Sequence, residues 1–213
     1  MKYPIGIQSF DRIIEDGYVY VDKTALIYSL VKEGTIYFLS RPRRFGKSLL
    51  VSTLKNYFLG RKELFKGLAM EGLEKDWLEY PVFHVDFNGS NFTEGGTLEN
   101  VIEGYISRWE QDFGIASDDS LDRGRRFIQV LEQSHERTGQ RAVVLIDEYD
   151  KPILDVLDTR LETEVDGNRM LLEDRNRNVL KGFYSVFKSA ASKIIDSGKF
   201  LAGKKVGFHS VRT

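Results

Sequence analysis

Arg43-Arg44-Phe45-Gly46-Lys47-Ser48 is the stretch on which the reading of this chain turns. A short apolar run, Thr35-Ile-Tyr-Phe-Leu-Ser40, precedes it, and Leu49, Leu50, Leu54, Tyr57 and Phe58 follow at helical spacing. That order predicts strand, loop and helix, the setting in which Gly-Lys-Ser acquires meaning. Backbone N–H groups and a helix N-terminus there hold phosphate oxygens. Lys47 is placed to reach β- and γ-phosphates, and the Ser48 hydroxyl to sit on Mg²⁺.

The general pattern G-x-x-x-x-G-K-[ST] puts its first glycine at Arg41, where Arg41-Pro42 stiffens a loop that usually bends at glycine. Taken alone, Gly46-Lys47-Ser48 reads equally well as a glycine turn with a solvated lysine. A second motif shifts the balance. Arg141-Ala-Val-Val-Leu-Ile-Asp147-Glu148 is a continuous apolar run ending in two carboxylates. Such a run suits a strand buried on both faces of a parallel sheet. Its carboxyl end is where open α/β sheets place ligands. Asp147 would then hold Mg²⁺ through water, and Glu148 would orient and deprotonate an attacking water. A strand running into an acidic turn is the plainer reading of this run by itself.

With 213 residues the chain can form one sizeable domain, burying about 70% of its unfolded surface. A net charge of −1 gives no general attraction to nucleic acid or anionic membrane. The absence of cysteine excludes disulfides, thiol nucleophiles and cysteine-bound zinc. His84, His135 and His209 have no ligand spacing. No apolar run approaches a membrane span and Met1–Phe10 lacks a signal core, so a cytoplasmic location is expected.

Outward from the two motifs, Tyr18–Val21 reads as a short strand and Asp22 as the cap of a helix carrying Ala25, Leu26 and Leu30. Pro81–Phe87 reads as a strand. Leu98, Val101, Ile102, Tyr105, Ile106, Trp109 and Phe113 form the clearest amphipathic helix, and the aromatic stripe reads as core. Phe127, Ile128 and Leu131 mark another helix. Pro152 starts one more, Thr159–Asn178 reads as a solvated loop or helix, and a helical stripe resumes at Val179. From Ser192 to Thr213 five basic residues stand against one acidic residue. That basic tail, 191–213, could contact nucleic acid, although a solvated end is the simpler reading.

Four stretches together resemble the bacterial AAA-ATPase-like family. They are Tyr20-Val-Asp-Lys-Thr24, Arg41-Pro-Arg-Arg-Phe-Gly-Lys-Ser48, Leu64-Phe-Lys-Gly-Leu68 and Leu145-Ile-Asp-Glu-Tyr-Asp-Lys-Pro-Ile153. The likeness runs from about Pro4 to Lys188, and the family itself carries arginine at the Arg41 position. Similarity implies an α/β, ASCE-type P-loop NTPase with a mostly parallel sheet flanked by helices, occupying residues 1–190. It implies ATP and Mg²⁺ as cofactors. Arg43, Arg44, Phe45, Gly46, Lys47 and Ser48 would bind nucleotide, Ser48 and Asp147 the metal, and Lys47 and Glu148 would be catalytic. The sequence leaves open a homo-oligomer or partner protein, and the lack of a long apolar run gives no expectation of a membrane.

One departure sets an expectation about the sheet. The family continues after a helix such as Val179–Ser189 with a strand ending in a polar sensor residue, roughly Phe-Val-Phe-Leu-Thr-Gly-Val. Here Ala190-Ala-Ser-Lys-Ile-Ile-Asp-Ser-Gly-Lys follows instead. The chain is therefore expected to lack one central strand through C-terminal truncation or frameshift; the alternative is that Val206–Val211 supplies a weak substitute. The nuclease-like domain that family members often carry is expected to be absent. Function stays between ATP hydrolysis and a catalytically weak nucleotide-binding switch or interaction module. A small-molecule kinase fits less well, because Asp147-Glu148 suits water activation.

Overall fold

Every residue of β3 (Val143–Asp147) is buried, as a strand covered on both faces of a sheet must be. The computed structural model describes residues 1–33, 36–40, 44–190 and 199–203. Its main sheet joins β3 to β1 (Ile36–Ser40), β2 (Val82–Asp86) and β6 (Lys199–Gly203). The order is β1-β6-β3-β2, and every pairing is parallel.

Alternation along the strands divides the core in two. Phe83 and Val85 of β2 and Val144 and Ile146 of β3 pack beneath α5 (Thr97–Asp112), α6 (Arg123–Thr138) and α8 (Leu172–Ala190). Val143 and Leu145 face the other way, toward α1 (Phe10–Glu15), α2 (Thr24–Glu33) and α3 (Lys47–Phe58). The aromatic stripe is core, as its spacing predicts: Trp109 meets Phe83 edge-on at 5.1 Å and stacks on Phe127 at 5.1 Å. The α6 helix has both its stops written locally. Asp122 accepts the Arg125 N–H at 3.0 Å, and Gly139 ends the helix in the left-handed region at φ 66°.

The expected gap in the sheet is not there. Lys199–Gly203 fills the place between β1 and β3, with Phe38 opposite Leu201 and Asp147 opposite Ala202. The expectation of a missing central strand is corrected, and the strand comes from a stretch assigned to the basic tail. Its signal is weak because Phe200-Leu-Ala202 is flanked by lysine and glycine. A strand bonded on both edges needs little propensity of its own. The suggested substitute, 206–211, lies outside the described residues, as do 191–198 and 204–213.

Two further readings change. Tyr18–Val21 is not a strand; the Tyr18 N–H bonds the Ile13 carbonyl at 2.9 Å and the Val19 N–H the Lys2 carbonyl at 2.8 Å. Part of Thr159–Asn178 is an antiparallel hairpin, β4 (Glu162–Val165) with β5 (Asn168–Leu171). Asp166 at φ 51° and Gly167 at φ 78° form the two-residue turn that this pairing requires.

Candidate functional site

Gly46 opens α3 in the left-handed region, at φ 73°, with no side chain capping the helix. Its carbonyl starts the helical ladder by accepting the Leu50 N–H at 3.0 Å. Arg44 is also left-handed, at φ 66°. For a residue with a Cβ that conformation costs on the order of 1–3 kcal/mol, and such strain gathers at functional loops. Lys47 is 6% exposed. Arg44 and Phe45 are exposed, and Arg43 lies outside the described residues.

Across from α3 stands the carboxyl end of β3. Asp147 is 5% exposed, and its Oδ1 accepts the Glu148 N–H at 3.0 Å. Burial raises the Asp147 pKa; a hydrogen bond from Ser48 opposes that rise and the charge of Asp86 adds to it. Glu148 is left-handed, at φ 49°, so the strand ends in a sharp turn. The turn is tied to α7 (Lys151–Leu154) by the Lys151 N–H bonding the Glu148 carbonyl at 2.9 Å.

A cavity of about 700 Å³ lies over these groups. Arg44, Gly46, Lys47 and Ser48 line one side, and Asn88 and Glu148 another. The N-terminal segment Ile5–Gln8 closes a third side. A second, smaller cavity of about 360 Å³ adjoins it and is also lined by Gln8, Ser48 and Asn88. Its own walls include Lys55, His84, Asp86 and Asp147. The His84 Nε2 is buried there without a hydrogen-bond partner, and burial together with the Lys55 charge lowers the His84 pKa to about 4.

Of the residues singled out by sequence, Gly46, Lys47, Ser48, Asp147 and Glu148 thus meet at one end of the sheet. Ile5–Gln8, Asp86 and Asn88 were missed. Asp86 ends a strand that was read correctly, but its position opposite Asp147 depends on register. Ile5–Gln8 carries no motif that would bring it to the loop.

The other motif residues have structural work. Asp22 Oδ1 accepts from the Thr24 N–H at 2.8 Å, and its Oδ2 from the Ala69 N–H at 2.7 Å. It therefore caps α2 and fastens the start of α4 (Ala69–Leu73). Lys151 pairs with Asp155 at 2.5 Å, and Asp155 accepts the Phe92 N–H at 3.2 Å. Asn176 of α8 donates to the Pro152 carbonyl at 2.8 Å. These bonds hold the loops at the carboxyl ends of β2 and β3.

Among the described residues no three or more histidine, aspartate or glutamate side chains gather as a metal cluster. Ser48 and Asp147 are nonetheless hard oxygen donors lining the same cavity. That donor chemistry suits Mg²⁺, which binds through one or two carboxylates plus phosphates and water. No helix among the described residues is long and apolar enough to cross a membrane.

These features define a parallel α/β protein with a glycine-led helix start and two acidic residues at the same end of its sheet. The chain belongs to the AAA-ATPase-like family of predicted AAA-ATPases, whose model matches residues 4–204. Membership points to nucleotide binding through a P-loop. It is 43% identical over 195 residues to an uncharacterized protein encoded in the vnfD 5′ region of Azotobacter chroococcum mcd 1. That match covers 91% of this chain and 36% of the relative, so the chain spans about a third of that protein's length. No solved structure matches.

Proposed function

We propose that this chain is a P-loop ATPase of ASCE type that binds and hydrolyses ATP with Mg²⁺. The observation carrying the reading is the cavity that Gly46, Lys47 and Ser48 line together with Glu148, with Ser48 and Asp147 sharing the adjoining one. The α3 N-terminus presents uncapped amides to phosphate oxygens, and Lys47 supplies a compact positive charge. Ser48 and Asp147 would hold Mg²⁺, which neutralises charge on the phosphates as the γ-phosphoryl group departs. Glu148 orients a water and takes its proton as the oxygen attacks the γ-phosphorus. ATP rather than another nucleotide rests on the family. Ile5–Gln8, which also lines the cavity, would face the base and sugar.

The test is binding of ATP, with turnover measured separately. Lys47→Ala should lose binding, whereas Glu148→Gln should bind and fail to hydrolyse. Absence of binding by the unaltered protein would overturn the reading.

One observation favours a second reading, a nucleotide-dependent switch with little turnover. Ala202 stands opposite both Leu39 and Asp147 in β6. Phe200-Leu-Ala-Gly203 matches the family's Phe-Leu-Thr-Gly with alanine in place of the polar sensor residue. Ala202→Thr accelerating single-turnover hydrolysis without tightening binding would support this reading.

A further inference from the structure

Asp86 ends β2 directly opposite Asp147 on β3. Both residues and Ser48 line the smaller cavity, and the Asp86 charge is felt at Asp147. Like charges placed directly opposite on neighbouring strands destabilise a sheet. Among the described residues Asp86 makes no ion pair that would offset this. Its Oδ1 accepts the Asn88 N–H at 2.8 Å, while no hydrogen bond is recorded for its other oxygen. A bound cation would turn the repulsion between the two carboxylates into an attraction that both share.

We propose that Asp86 is a second carboxylate of the nucleotide's Mg²⁺ site, acting from β2 beside Asp147 and Ser48. This rests on the nucleotide-binding reading above and extends it to a residue outside both sequence motifs. Two carboxylates and a hydroxyl, completed by phosphate oxygens and water, are a normal complement for this ion. The site is assembled across strands, so the register of β2 on β3 becomes a determinant of metal affinity.

Asp86→Asn separates this role from a structural one, because asparagine keeps an oxygen to accept the Asn88 N–H. A fluorescent ATP analogue is titrated with Mg²⁺ against the unaltered protein, Asp86→Asn and Asp86→Glu. The half-saturating Mg²⁺ concentration should rise about tenfold or more in Asp86→Asn. Asp86→Glu should recover part of the loss. Nucleotide affinity in excess EDTA and the thermal midpoint of the nucleotide-free protein should not fall in Asp86→Asn. Overlapping Mg²⁺ curves for the unaltered protein and Asp86→Asn would overturn the inference while leaving nucleotide binding intact. Binding insensitive to Mg²⁺ in the unaltered protein would overturn it too. Absence of nucleotide binding in the unaltered protein would overturn both readings together.

Discussion

Asp147 at the end of β3 and Ser48 in the first turn of α3 line the same cavity. The Asp147 carboxylate is buried and lies beside Asp86, and burial first, then that neighbouring charge, pushes its pKa up. A carboxylate whose pKa is higher folded than unfolded costs stability once ionised. That cost is absent in acid and complete above the folded pKa. Asp147→Asn should therefore raise the thermal midpoint of the nucleotide-free protein at pH 7. A rise of about 1–3 °C is the expected scale for a sub-kcal change in a chain of this size. A lower midpoint in scanning calorimetry would contradict it.

The ion network between α5 and α6 gives a prediction of opposite sign. Arg126 donates through Nε to Glu110 Oε1 at 2.7 Å and through Nη2 to Oε2 at 2.6 Å, and it also pairs with Glu103. Both Arg126 and Glu110 are buried. Arg126→Ala would leave the Glu110 carboxylate buried and unpaired, a loss of about 3–5 kcal/mol. Arg126→Met with Glu110→Leu should recover most of it. Equilibrium urea unfolding reads both.

Stability should also fall in acid through two separable windows. His84 is held neutral at a pKa of about 4 by burial and then by Lys55. Its unfolded value lies near 6.5, so the stability it protects is full above that pH and is lost as pH falls toward 4. Glu74 follows at lower pH. Burial alone would raise its pKa, but the Tyr57 hydroxyl at 2.5 Å, the Asp76 N–H and Lys32 bring it to about 2. Its contribution is lost between about 4.5 and 2. His84→Gln should flatten the midpoint-versus-pH curve only in the upper window.

Gly60 follows α3 at φ 67°, and a Cβ there would lie 2.7 Å from Glu79 Cγ and 3.2 Å from the Trp77 carbonyl oxygen. Gly60→Ala combines left-handed strain with a clash against backbone. The expected loss is about 1–3 kcal/mol, read as a drop in the urea midpoint with unchanged slope.

Much of this architecture was legible because the signals were local. The run Ala142–Ile146 declares a strand covered on both faces, and β3 is buried throughout. The 3/4 spacing from Leu98 to Trp109 declares a helix against a core, and α5 buries that face. Gly46 and the residues after it place a helix start. What escaped was non-local. Asp86 acquires its neighbour through register, and Ile5–Gln8 reaches the cavity through the fold of the whole N-terminal half. Lys199–Gly203 is a strand because β1 and β3 leave a place for it, not because five residues with three apolar side chains ask to be one. The charged stretch after Thr159 hid a hairpin whose signal was confined to Asp166-Gly167.

That late strand bears on how the chain is made. Among the described strands β6 is the last to leave the ribosome, yet it sits between two that emerge long before it. Until it arrives, β1 and β3 each present an open edge, the condition in which nascent chains pair with the wrong partner. Ile36 must wait for Lys199, and closing so long a loop is slow. Completion of the sheet, and with it the setting of Asp147, thus waits on residue 199, and a stall in synthesis before it would release a half-built sheet to the chaperones.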